Sequence, residues 1–239
     1  MATSGNTIKV LTRDDIINAA LRKLVVISEG TTPSTLQVTN AAEALNIIVA
    51  EFRTLGMQSW ARNIYNLVIV PGQDTYNFGV GQTVNTPYPN FIYTINYVPA
   101  PNFDTQIELN QMPITDFSQL PLGSNGIPVN YNYQSKINMD TLSIWPEPDS
   151  TVPANSYLQV IYQRPIEVFD AATDNPDFPQ EWGNALIYQL AVSLSDEYGV
   201  PDTKLQRLSS QADKHLATVL GNANEQGSMF FQPDYRQFE

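Results

Sequence analysis

The sequence predicts an α+β fold, with an antiparallel β-sandwich or barrel inserted between two helical pairs. Three observations carry this. Apolar residues recur at helical spacing over roughly the first and last quarters of the chain, and they alternate at period two through the middle. Most of the prolines and tyrosines fall in that middle stretch, where short strands with regular turn signals belong. The sequence then ends on an aromatic segment without periodicity.

The first helix is predicted to open near Thr12, where Thr12 and Asp15 form a capping-box-like pair. Ile17, Leu21, Leu24 and Ile27 follow as its stripe, and it stops before Gly30. A second helix follows Thr32-Pro33, with Pro33 at its first position. Its apolar face is Val38, Ala41, Leu45, Ile48, Phe52 and Leu55, and Gly56 is its stop. From Tyr65 the period changes. Tyr65, Leu67 and Ile69 alternate up to the turn Pro71-Gly72. Val129, Tyr131, Tyr133, Ser135 and Ile137 are predicted to face one way, and Asn130, Asn132, Gln134, Lys136 and Asn138 the other. Leu142 and Ile144, then Leu158, Val160 and Tyr162, complete the strands. Helix returns at Pro179 with Trp182, Ala185, Leu186, Leu190, Leu194 and Tyr198 on one face, and ends at Gly199 before Pro201. A fourth helix carries Leu205, Leu208, Ala212, Leu216 and Val219. Two amphipathic pairs at the chain ends most simply pack into one four-helix body. The predicted organisation is therefore residues 1–63 helical, 64–169 an inserted β domain, 170–224 helical and packing on the first pair, and 225–239 an extended docking tail.

The formal net charge is −12, and the four segments carry +1, −6, −5 and −2 in chain order. No segment is a basic patch, so sequence-specific nucleic-acid binding is not expected, because phosphate contacts need clustered Lys and Arg. An acidic wall would let DNA slide past; solubility alone also accounts for such charge. No apolar run is long enough to cross a membrane, and the polar stretch Met1 to Val10 lacks the core of a signal peptide. The expected site of assembly is the cytoplasm.

Candidate chemistry is sparse. With no cysteine and the single His215, neither thiolate nor paired-histidine zinc sites can form within one chain. There is no Gly-x-Ser-x-Gly and no phosphate-binding loop, and Gly79-Val80-Gly81 reads as a turn. Asp170, Asp174 and Asp177 make an acid-rich loop without EF-hand spacing, better placed to favour the positive end of the following helix than to bind calcium. Asp14-Asp15 and Asp196-Glu197 are helix neighbours that diverge. Glu108 with Asp140 or Glu147 is the one conceivable carboxylate pair across strands. His215, at the edge of its stripe, is expected to pack or to lie in an interface. No catalytic residue, cofactor or metal site is expected. Of the aromatics Tyr88, Phe91, Tyr93, Tyr97, Tyr131 and Tyr133, those on the apolar face are expected in the core. Loop residues such as Tyr88, between Pro87 and Pro89, and Asn90 are better partner-binding candidates. The final segment is too aromatic for an ordinary solvated tail. Met229, Phe230, Phe231, Tyr235, Arg236 and Phe238 are its candidate docking residues.

Four stretches in order carry a resemblance: Ile16 to Leu24 with Gly30 and Thr32-Pro33-Ser34; Ala44-Leu45-Asn46 with Phe52 and Leu55-Gly56; Val70 to Gly79 with Gly126-Ile127-Pro128 and Leu142 to Asp149; and Phe178 to Trp182 with Ala185-Leu186, Leu190-Ala191 and Glu197 to Pro201. Together the chain resembles the head-to-tail adaptors (head completion, tail tubular A-like proteins) of podoviruses. Val25 departs from the pattern, since such proteins are expected to carry glycine there. The resemblance implies a structural virion protein, a dodecameric ring bound beneath the portal ring and surrounding the DNA channel. It also implies a β domain reaching tail nozzle and fibre proteins, and a C-terminal segment docked on the portal. A receptor- or carbohydrate-binding tail component using the β-domain aromatics is the alternative reading, and a cell-wall hydrolase using its carboxylates a third.

Overall fold

In the computed structural model, residues 11–28, 30–55, 59–137 and 139–223 are described. The chain divides into two compact units. Of the described residues, the first comprises 11–28, 30–48, 55, 59 and 169–223, and the second 49–54, 60–137 and 139–168.

The first unit is helical, and the last turns of its second helix, from residue 49, belong to the second unit. Helix α1 (Arg13–Leu24) opens on the expected capping box, with Thr12 and Asp15 satisfying each other's backbone N–H. It buries Ile16, Ile17, Ala20, Leu21 and Leu24. It ends in a Schellman arrangement: the Val26 N–H donates to Leu21 O (3.1 Å) and the Val25 N–H to Arg22 O (3.0 Å). Val25 itself adopts φ 62°, ψ 26°. Helix α2 (Thr35–Arg53) starts two residues later than Pro33 would have it. Ser34 is the cap: its Oγ accepts from the Gln37 N–H, and Gln37 Oε1 accepts from the Ser34 N–H. Ala41, Leu45, Ile48 and Phe52 are buried as the periodicity requires, whereas Leu55 lies past the helix end and is exposed. Gly56, the expected stop, lies outside the described residues. Asn46 pins the returning chain to α2, its Nδ2 donating to Phe169 O (3.0 Å) and its Oδ1 accepting from the Phe169 N–H (2.9 Å).

After the β unit, a short 3₁₀ turn (Gln180–Trp182) leads into α4 (Gly183–Ser193). Ala185, Leu186, Ile187, Leu190 and Ala191 are all buried there, because α1 and α5 (Asp202–Ala223) both pack on α4. Leu186, Ile187 and Leu190 each stabilise by about 1.5–3 kcal/mol on leaving water, and the two alanines by less. The helix ends six residues before Gly199, since an irregular turn over 194–199 intervenes and Gly199 (φ +59°) closes that turn instead. On α5, Leu208, Ala212 and Val219 are buried, while Leu205 and Leu216 are half-buried.

The second unit is a two-sheet β structure. In chain order its strands are β1 (Arg62–Val68), β2 (Thr75–Phe78), β3 (Phe91–Val98), β4 (Ile107–Glu108), β5 (Asn110–Gln111), β6 (Asn130–Gln134), β7 (Asp140–Trp145) and β8 (Tyr157–Gln163), with a single-turn helix α3 (Ile114–Phe117) between β5 and β6. One sheet runs β1-β8-β3-β4 and the other β2-β7-β6-β5. Neither closes into a barrel, so the sandwich half of the expectation holds. The first sheet is antiparallel throughout, but β5 pairs with β6 in parallel, so the second is mixed. The chain crosses from one sheet to the other at buried Leu109, between β4 and β5. Tyr97, Leu158, Val160 and Tyr162 from one sheet share a core with Tyr76, Phe78, Tyr131, Leu142 and Ile144 from the other. A register shift between Ile92 and Thr94 marks a β-bulge, which lets Ile92 and Ile95 both face inward.

The β6 face assignment needs correction at both ends of its logic. Asn132, assigned to the solvent face, is only 4% exposed, because α3 packs over β6 and Asn132 Nδ2 donates to Met112 O (2.8 Å). Ile137, assigned to the core face, lies in the β6–β7 turn and is 98% exposed, because alternation ends where pairing ends at Gln134.

Candidate interaction site

The residues singled out for partner binding sit on the loop joining β2 to β3. Gly79 (φ +144°) turns the chain out of β2, and the Tyr88 ring lies against it so closely that a Cβ on Gly79 would sit 2.9 Å from Tyr88 Cε1. Buried Val84 folds the loop back, its N–H donating to Asn77 O (2.9 Å) while its carbonyl accepts from the Gly79 N–H (3.1 Å). Inside, Thr86 Oγ1 and the Tyr162 hydroxyl share a buried hydrogen bond of 2.8 Å. The Tyr133 hydroxyl lies 3.1 Å from Pro89 O, and the Asn90 N–H donates to Gln163 O at 2.9 Å. A loop held at this many points presents its outward side chains with little ordering entropy left to lose. Those side chains are Tyr88, 40% exposed, with Val80 and Asn90.

Beside the loop, Phe91 and Tyr93 meet edge to face with centroids 5.2 Å apart. The Arg62 guanidinium lies 4.6 Å from the Tyr93 centroid, and the Tyr93 hydroxyl donates to Gln163 Oε1. The bulge turns Tyr93 outward next to Phe91. Exposed aromatics with an arginine are the composition of energetically dominant contact residues. The sequence offered these aromatics together with Tyr88, Tyr97, Tyr131 and Tyr133 as one possible binding face, but the bulge that sets Tyr93 beside Phe91 leaves no periodic signal. Tyr97 and Tyr131 go to the core, as their alternation indicated, and are not available to a ligand.

Behind the loop, Asp140 is 1% exposed. It accepts from the Tyr133 hydroxyl, from Ser135 Oγ (3.1 Å) and from the Lys136 N–H (2.9 Å). Burial first, and then the hydrogen bond to this carboxylate, push the Tyr133 phenol far above the ordinary tyrosine range. Asp140 is thus committed as an acceptor, and Glu108 lies on the other sheet, accepting from Thr94 Oγ1 (2.9 Å). In the helical unit Asp14 pairs with Arg13 (2.9 Å), Asp15 belongs to the capping box, and Glu197 accepts from Asn40 Nδ2 (2.9 Å). No group of three or more His, Asp or Glu side chains able to hold a metal occurs among the described residues.

The backbone of the acid-rich loop meets the start of the first helix. Its carbonyls at Asp174 and Ala172 accept the Arg13 and Asp14 N–H groups at the start of α1. Asp174 Oδ2 closes the loop by accepting from the N–H groups of Ala171 (2.6 Å) and Asp170 (2.8 Å), and these bonds, that from Ala171 foremost, hold its carboxyl below the usual range. His215 stacks on Tyr188 (5.0 Å between centroids, 29°), and Lys23 Nζ lies 5.0 Å from the same ring, so the three link α5, α4 and α1. The candidate docking residues Met229, Phe230, Phe231, Tyr235, Arg236 and Phe238 lie outside the described residues. Among the described residues no helix is long and apolar enough to cross a membrane.

The described residues thus form a helical unit drawn from both ends of the chain and an inserted two-sheet β unit that carries a preformed loop with exposed aromatic residues. The family model for SU10 adaptor protein matches residues 11–234. The chain belongs to that family, a family of phage head–tail adaptors, and is by that membership a structural component of a virion. No curated protein matches the sequence.

Proposed function

We propose that the chain is the ring-forming head-to-tail adaptor of a short-tailed phage, non-enzymatic and assembled in the host cytoplasm. Twelve copies form a ring beneath the portal and around the DNA channel, in keeping with the dodecameric form the resemblance implies. The observation that carries this reading is the family match over residues 11–234, which takes in both helical segments and the inserted sandwich. The net charge of −12 supports it, because an acidic channel wall repels the passing duplex. Helices α1, α2, α4 and α5 together form the body of each subunit. The segment after residue 224, with Met229, Phe230, Phe231, Tyr235, Arg236 and Phe238, docks on the portal and couples its ordering to binding. Tyr88 and Asn90 contact a tail component, nozzle or fibre, from their prefixed loop.

The test is portal binding by the full chain and by a chain ending at residue 227. The full chain is expected to bind the portal ring of the same phage, and the shortened chain to fold with an unchanged circular dichroism spectrum and to lose binding. Equal affinity of the two for the portal overturns the assignment of the docking segment.

A further inference from the structure

Two ends of the β-sandwich can be told apart. Arg62, Gln163, Phe91, Phe78 and Asp140 mark the end that carries the Tyr88 loop. The strands run the other way to Val68, Tyr157 and Val98 in one sheet and to Thr75, Trp145 and Asn130 in the other. The loops 69–74, 99–106, 118–129 and 146–156 gather at this second end.

They are built around Glu147 and Pro148. The Gly72 N–H donates to Pro148 O (2.8 Å), the Gly126 N–H to Glu147 O (2.9 Å) and the Glu147 N–H to Ser124 O (3.0 Å). The Ala100 N–H donates to Ser156 Oγ (3.0 Å), and Asp149 Oδ1 accepts from the Thr151 N–H (2.9 Å). The backbone is therefore organised in advance, and prolines recur in every one of these loops. Yet apolar side chains stand out of it. Leu122 is 101% exposed at the tip of its turn, and Phe103 is 49% exposed, stacked on Tyr157 with centroids 5.9 Å apart. The same four loops carry Asp74, Asp104, Glu147 and Asp149 and contain no Lys, Arg or His.

We propose that this loop end of the sandwich, with Leu122 and Phe103 as its apolar anchors and Asp74, Asp104, Glu147 and Asp149 as its rim, docks on a tail protein that offers an apolar pocket bordered by lysine or arginine. Charge complementarity selects that occupant. A second copy meeting it across a two-fold axis would bring the same acidic rim, a copy meeting it by another face still brings a chain of net charge −12, and a nucleic acid or an anionic membrane would bring phosphate, so each is disfavoured. Rim charges steer the encounter, and the apolar tips bury on contact. The inference rests on the adaptor reading for the identity of the partner class.

The experiment measures binding of the full chain, by biolayer interferometry, to each purified tail protein of the same phage and, in parallel, to its portal ring. Three forms are compared: wild type, the double variant Leu122→Ser with Phe103→Ser, and Asp104→Lys. One tail protein is expected to bind wild type, the double variant to lose at least tenfold in affinity, and Asp104→Lys to associate several-fold more slowly, all with portal binding unchanged. Undiminished tail-protein binding by both variants overturns the docking surface while the adaptor reading stands. Portal binding by wild type without binding to any tail protein also overturns it. Failure of wild type to bind either overturns both readings.

Discussion

Replacing Val25 by glycine should make the protein more stable, although Val25 ends a helix that is otherwise well capped. Val25 occupies the left-handed position after α1 (φ 62°, ψ 26°). An L-residue there brings its Cβ against the following carbonyl at a cost of about 1–2 kcal/mol, with β-branched side chains worst placed. The side chain is 74% exposed, so deleting it forfeits little burial. The two bonds of the cap are made by backbone, Val25 N–H to Arg22 O and Val26 N–H to Leu21 O, and survive the change. Against the relief stands the added freedom of the unfolded chain, about 0.4–1 kcal/mol. The net gain is about 0.5–1 kcal/mol. At about 2–4 °C per kcal/mol for chains of this size, the rise in Tm should be about 1–4 °C. Differential scanning calorimetry of wild type, Val25→Gly and Val25→Ala is the assay. The alanine variant retains the Cβ and should gain less than the glycine variant. A lower Tm for Val25→Gly, or an alanine variant equal to it, would refute the reasoning that backbone strain governs this position.

The same substitution at two tyrosines should have opposite signs. Tyr133→Phe strips a donor from buried Asp140, costing about 1–3 kcal/mol. Tyr97→Phe removes a buried hydroxyl that has no hydrogen-bond partner among the described residues, and should be neutral or stabilising by about 1 kcal/mol in urea titrations. Because the folded Tyr133 phenol titrates above its unfolded value of about 10, its contribution is complete below that pH and is lost above it as the unfolded chain ionises. Tyr133→Phe should therefore flatten the alkaline limb of stability. Asp174 is the reverse case: its depressed pKa makes a contribution present above the unfolded value of about 3.9 and lost as pH falls through the folded one. Asp174→Asn should weaken the acid limb in pH-dependent melting, and an unchanged limb would rule out that role. Gly79→Ala places a methyl within 2.9 Å of the Tyr88 ring at φ +144°, and should cost about 1–3 kcal/mol and shift the Tyr88 ring resonances in NMR.

What could be read from the sequence follows the range of the interaction. The α1 cap, the stripes of α1 and α5, and the inward faces of β7 and β8 are set by neighbours within a few residues, and they appear where periodicity puts them. Departures arise where a distant segment intervenes. Asn132 reads as a solvent residue until α3 covers it, and nothing in the spacing of the Asp174 loop shows that its carbonyls meet the start of α1. Pro33 is a sound helix-start signal, but the capping box of Ser34 and Gln37 that begins at the next residue is stronger, and both were visible in the sequence. The glycine expected at Val25 is explained by the left-handed backbone found there. For the candidate site, Tyr88 and Asn90 could be picked from the proline context. That their loop is anchored by Thr86 and Asn90 could not be, since the partners Tyr162 and Gln163 are far away in the chain.

The central claim, that this chain is a ring-forming adaptor between portal and tail, is tested most directly by electron microscopy of the full chain mixed with the portal ring of the same phage, beside size-exclusion chromatography of each alone. The account expects an added ring of density on one face of the portal, with copies of the chain matching the portal's symmetry. Portal rings left bare at saturating concentrations of the chain would contradict it.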